Sequence, residues 1–210
     1  MAYNKFKIAT LQSKFGLSVK KDYWLPKTLS AFGEDETLIY LLSEAAKTYL
    51  GSEKARSEFV VTPVLQAFNR KNKDKFSIFS GYEFNIDKSN ALNGYCDFIL
   101  ASSTNGYIVD APVFFVVETK KSDIDDNAIA QCGSELYAAQ IFNEREGKPQ
   151  NAIYGCVTSA YSWAFLKLEG KQISVDPNYA SLTFDNPYNV LATLQWILDK
   201  SFQNGKFVKN

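Results

Sequence analysis

The chain has 210 residues, of which 46% are apolar and 22% charged, and this favours one folded domain over 1–210 and excludes disorder as its main state. It contains no histidine, which excludes catalytic triads, histidine acid–base pairs and histidine-ligated zinc. The formal net charge is zero, so the chain lacks the long-range positive field of a protein that coats DNA. Any contact with nucleic acid must therefore come from a local patch.

The cysteines and the apolar runs indicate the cellular compartment. Cys96, Cys132 and Cys156 show no CxxC spacing, so they are predicted to be reduced core residues rather than zinc ligands. The longest apolar run, over 111–117, has seven residues and is too short to cross a membrane. We therefore expect a cytoplasmic protein without a membrane segment.

Two helices are predicted in the first third of the chain. Residues 1–33 show no clear period and are expected to form an arm or a short strand laid on the domain. Over 34–50, apolar residues recur at helical spacing. Ser52 is then the expected N-cap of a second helix that runs to about Arg70, with a kink at Pro63.

Strand patterns follow these helices. Residues 76–86, 95–102 and 112–119 have the composition of strands, and the third, apolar on both faces, is expected to be a central strand. The rest of the chain predicts a helix, two strands and a closing helix, over 128–143, 151–158, 161–168 and 188–202. This order predicts an α/β fold in which helices flank a mixed sheet.

Charged residues interrupt two of the apolar strands. Glu118 and Lys120 are two positions apart, so on a strand both side chains leave the same face, directly after the apolar run. Asp97 interrupts the strand over 95–102 in the same way. An unpaired buried carboxylate is strongly destabilising. Two carboxylates that converge beside an ammonium group relieve that penalty if they bind a cation.

These side chains suit a magnesium site. Asp97 and Glu118 supply hard oxygen ligands, and Mg²⁺ typically takes one or two carboxylates together with waters and a substrate phosphate. The Lys120 ammonium is suited to holding the attacking water and to offsetting charge on the phosphate. We expect Mg²⁺ as the cofactor, with Mn²⁺ able to replace it.

Asp97 is followed, after twenty intervening residues, by Glu118-Thr119-Lys120, with a helix before and after. This arrangement resembles the PD-(D/E)XK restriction-endonuclease-like superfamily. The element order over 52–158 is similar to the α-β-β-β-α-β core of that superfamily. An extra N-terminal helix and a C-terminal strand and helix would lie outside this core. The segment Ser-Glu-Lys-Ala-Arg-Ser-Glu-Phe-Val over 52–60, followed by Pro63, resembles the first-helix motif of the nuclease domain in type I restriction enzyme R subunits.

The resemblance implies a metal-dependent endonuclease that hydrolyses phosphodiester bonds in DNA, and it implies further site residues. An acidic residue of the first core helix would lie beside the metal, with Glu53 the better match because it precedes Arg56 by three, and Glu58 the second. The carbonyl of Thr119 would be a further metal ligand. Gln131 would lie near the active site, on the helix that follows.

The expected partner is nucleic acid, namely DNA, and the adjacent pair Lys120-Lys121 is suited to contact with its phosphate backbone. One such domain cuts one strand, so double-strand cleavage would need a homodimer.

Three alternatives stay open from the sequence. Asp110 is another candidate for the first carboxylate, although its neighbourhood predicts a turn that opens the third strand. A nuclease-like fold that binds nucleic acid or a protein without cutting is a second. A sugar hydrolase with two facing carboxylates is a third, but it leaves Lys120 without a role.

Overall fold

The computed structural model describes residues 3–102 and 106–204. These residues form an open mixed sheet flanked by helices. The helices are α1 (Ile8–Phe15), α2 (Glu36–Ala45), α3 (Glu53–Arg56), α4 (Thr62–Lys71), α5 (Asp126–Arg145) and α6 (Tyr188–Asn204). The strands are β1 (Ser18–Lys21), β2 (Ser77–Glu83), β3 (Tyr95–Ala101), β4 (Val113–Thr119), β5 (Ile153–Thr158), β6 (Ser162–Glu169), β7 (Gln172–Val175) and β8 (Ala180–Ser181).

The strand order is β1-β7-β6-β5-β4-β3-β2, and β8 pairs with β6 outside this path. The pairs β4–β5 and β1–β7 are parallel, and the other pairs are antiparallel. Strand β4 has a neighbour on each side and is buried at every residue, as predicted for a central strand. Its carboxyl end therefore lies beside the carboxyl end of β5.

Two hydrophobic clusters cover the two faces of the sheet. One packs α2, α4 and α6 against residues such as Phe98 and Phe115, and the other packs α1 and α5 against residues such as Ile99 and Val116. The alternation of neighbouring residues between the clusters follows the pleat of the strands. Cys96, Cys132 and Cys156 are buried thiols within this core. Along the described ranges, no helix combines the length and the apolar character needed to cross a bilayer.

The predicted helix from Ser52 to about Arg70 is interrupted by a π turn. The Ser52 hydroxyl accepts a hydrogen bond from the amide of Ala55 at 3.1 Å, which fixes the start of α3. Pro63 has no amide hydrogen to donate. Just before it, the helix widens over Ser57–Val61, where the amide of Thr62 donates to the carbonyl of Ser57, five residues back. The helix then continues as α4.

The N-terminal segment is part of the sheet. Its sequence predicts an arm or a short strand, and the structure shows both a helix, α1, and an edge strand, β1, which pairs with β7. The Tyr3 side chain is buried, and its hydroxyl donates to the carbonyl of Phe84 at 2.6 Å. Residues 1–2 of the expected arm lie outside the described ranges.

Candidate metal and catalytic site

Three carboxylates meet at one side of the sheet. Asp97 comes from β3, Glu118 from the carboxyl end of β4 and Glu53 from the first turn of α3. One ligand oxygen from each lies within 4.8 Å of the others, a spacing that suits coordination of one metal ion. The antiparallel pairing of β3 with β4 sets Asp97 and Glu118 side by side, and the Ser52 cap holds Glu53 at the start of its helix.

Asp97 is held by the backbone of the next strand. Its Oδ2 accepts a hydrogen bond from the amide of Thr119 at 2.7 Å. Burial raises the pKa of Asp97 above its usual range, and the Thr119 amide opposes that shift. Thr119, whose carbonyl was predicted as a metal ligand, thus contacts this cluster through its amide hydrogen.

Glu118 is the most deeply buried of the three carboxylates. Its Oε1 accepts a hydrogen bond from Lys120 Nζ at 2.5 Å, and a side-chain hydrogen bond joins Glu118 to the buried carboxyl of Glu135. Burial and the neighbouring Asp97 charge raise the pKa of Glu118 to about 8, although Lys120 opposes this. Carboxyl groups this close together share protons or bind a cation, and the oxygens that Glu118, Asp97 and Glu53 bring together suit a divalent ion.

Lys120 is positioned from both its main chain and its side chain. Its amide donates to the carbonyl of Thr158 on β5 at 2.7 Å, and its Nζ also donates to Gln131 Oε1 at 3.1 Å. Burial lowers the pKa of Lys120, but the charges of Glu118, Glu53 and Asp97 outweigh burial and leave it raised. The side chain therefore stays an ammonium group beside the carboxylates.

Gln131 is joined to a residue that the sequence did not single out. Its Nε2 donates to Glu135 Oε1 at 3.4 Å, and Glu135 is completely buried on α5. Burial, and then the charges of Glu118 and Asp97, raise the pKa of Glu135 well above its usual range. The sequence could have indicated Glu135 only through its position four residues after Gln131, because residues four apart lie on the same face of a helix.

The other candidate residues are not part of the carboxylate cluster, although Glu58 lines the same cleft as Glu53 and Asp97. Glu58 forms an ion pair with Lys54 at 2.5 Å, and of the two predicted helix carboxylates Glu53 is the one that lies with Asp97 and Glu118. Asp110 precedes β4, at the end of the strand opposite Glu118. Lys121 is exposed beside Lys120. A cleft of about 390 Å³ opens over Glu53 and Asp97, between α3 and β2.

Comparisons with protein-family models, with curated proteins and with solved structures found no match to this chain.

Proposed function

We propose that this chain is a Mg²⁺-dependent nuclease that hydrolyses phosphodiester bonds in DNA. The observation that carries the proposal is the meeting of Glu53, Asp97 and Glu118 ligand oxygens within 4.8 Å, next to a lysine ammonium. Mutual repulsion in such a cluster is relieved either by a bound proton or by a bound cation. The cleft above it gives a substrate access from solvent.

The element order supports a restriction-endonuclease-like core. From α3 to β5 the chain runs helix, three strands, helix, strand, and the two carboxylates on strands lie on neighbouring strands of the sheet. This is the order that the resemblance to the PD-(D/E)XK superfamily predicts over 52–158.

Each side chain then has a distinct task. Asp97 and Glu118 would hold Mg²⁺ (or Mn²⁺), with Glu53 completing the carboxylate set. The bound metal supplies a water of lowered pKa and offsets the charge of the phosphate. Lys120, kept charged by its acidic neighbours, donates a hydrogen bond to the attacking water or to a phosphate oxygen. Gln131 accepts from Lys120 and so fixes the direction of the ammonium. A single site cuts one strand, so cleavage of both strands would require two copies of the chain.

The proposal is tested by incubating plasmid and labelled oligonucleotides with Mg²⁺, Mn²⁺ or EDTA. Lys120→Met removes the ammonium at similar volume, and we expect cleavage to fall by at least about 100-fold. Lys47→Met is the matched control, because Lys47 is an exposed lysine in an ion pair on α2. Asp97→Asn should also abolish the rise in melting temperature that Mn²⁺ causes in the wild type.

Equal cleavage by wild type and Lys120→Met would contradict the proposal. A wild type that binds Mn²⁺ yet cuts no substrate would instead support a binding module with a nuclease-like fold.

A further inference from the structure

The turn between β5 and β6 is hydrogen-bonded to two parts of the candidate site. The carbonyl of Thr158 accepts the amide hydrogen of Lys120, so the turn begins beside the proposed catalytic lysine. On the other side Arg56, one helical turn after Glu53, donates from its Nη1 to the carbonyl of Ser159 at 3.2 Å. Tyr161, at the end of this turn, is thereby linked to both Lys120 and the Glu53 helix.

Hydrogen bonds hold the turn in one conformation. The Thr158 hydroxyl donates to the carbonyl of Ser162 at 3.0 Å and accepts from the amide of Ala160 at 3.0 Å. The carbonyl of Tyr161 accepts from the amide of Leu182 at 2.8 Å. The tyrosine thus projects from a support that is already ordered before any ligand arrives.

The Tyr161 ring is supported and still open to solvent. The Phe184 ring lies with its centroid 5.7 Å away, and the Arg56 guanidinium lies 5.6 Å from the Tyr161 centroid. Arg56 is itself anchored, because its Nε donates to the carbonyl of Leu50 at 2.9 Å. Even so, 41% of Tyr161 is exposed. An ordered, exposed ring beside a cation is the arrangement on which proteins stack unpaired nucleobases.

We propose that Tyr161, with Arg56, stacks an unpaired nucleobase next to the phosphate to be cut, so that the preferred substrate is single-stranded DNA. Bases within a duplex are already stacked on their neighbours and offer no free face to a side chain. The Arg56 contact places the Tyr161 ring beside the helix that carries Glu53. This inference rests on the proposed nuclease function and narrows its substrate class.

Binding of labelled single-stranded and duplex oligonucleotides, measured by fluorescence anisotropy in EDTA, tests the stacking contact without requiring cleavage. Tyr161→Ala should weaken the Kd for the single strand about tenfold, because stacking on an aromatic side chain contributes to affinity for each base. Tyr161→Phe keeps the ring and should stay within about twofold of wild type. Both variants should bind duplex as wild type does.

Tyr40→Ala is the matched control, because Tyr40 is 63% exposed on α2 and should leave the Kd unchanged. The inference is overturned if Tyr161→Ala binds the single strand as tightly as wild type, or if single-strand and duplex binding fall together. Metal-dependent cleavage by wild type that is confined to duplex would leave the nuclease proposal standing and refute this one. Single-strand binding that depends on Tyr161, in a protein that cuts nothing, would support the contact and refute the nuclease.

Discussion

The burial of Glu118 makes the stability of the protein depend on pH. Glu118 is 2% exposed, and its pKa is raised from 4.5 to about 8 in the folded state. The Glu118→Gln substitution keeps the shape and the hydrogen-bond acceptor for Lys120 but removes the titration. Comparison of this variant with the wild type therefore measures what ionisation of Glu118 contributes to folding, together with its effect on the pKa of Glu135.

The sign of the effect follows from proton linkage. A carboxyl with a raised pKa in the folded state binds its proton more tightly there than in the unfolded chain. Its contribution to stability is fully present below the unfolded pKa of 4.5 and is lost as the pH rises toward about 8. Between pH 4.5 and pH 7 the wild type should lose about 3 kcal/mol through this group, at about 1.4 kcal/mol per pH unit.

Urea unfolding followed by tryptophan fluorescence, in EDTA from about pH 5 to about pH 8, measures this loss. The free energy of unfolding of Glu118→Gln should fall less steeply with pH than that of the wild type. Glu44→Gln, a change at an ion-paired glutamate on the surface of α2, should run parallel to the wild type. If Glu118→Gln also runs parallel to the wild type, the reasoning about its burial is refuted.

Two further predictions concern the core. Asn143 accepts from the amide of Val113 and donates to its carbonyl, both at 2.8 Å, so Asn143→Ala leaves two buried backbone groups unpaired and should cost about 3 kcal/mol in a urea melt. Asn127→Ala on the same helix, at an exposed position, should cost under about 0.5 kcal/mol. Equal losses of unfolding free energy in the two variants would argue against a stabilising role for the Asn143–Val113 hydrogen bonds. A Cβ at Gly155 would lie 2.9 Å from Cys132 Sγ, so Gly155→Ala should cost about 1 to 3 kcal/mol. That cost should shrink in a Cys132→Ala background, and a cost independent of Cys132 would show that the crowding lies elsewhere.

The centre of the fold was predictable because its signals are local. The apolar run before Glu118 predicts a buried strand, and the two-residue spacing to Lys120 places both side chains on one face. The Ser52 hydroxyl and the glutamate after it mark a helix start in the same way. Each of these features depends on a few consecutive residues, so the sequence was enough to find them.

The elements that escaped prediction depend on distant partners. A short strand was one expectation for 1–33, but its position as β1 could not be predicted, because β1 is mostly exposed, lacks apolar alternation and depends on backbone pairing with β7, more than a hundred residues later. Glu135 has the sequence context of an ordinary helix residue, and only the packing of α5 on the sheet buries it beside Gln131. Long-range packing of this kind leaves no mark within a short window of sequence.

The π turn over Ser57–Val61 lies between two parts of one helix whose side chains have different partners. Glu53, before the turn, faces the other carboxylates, and Val64 and Leu65, after it, face the apolar core. An extra residue in the turn shifts the direction of everything that follows by about 100° relative to a regular helix. Deleting one residue from the turn would return the helix to a regular register, so that Glu53 and the core residues of α4 could no longer face their present partners together.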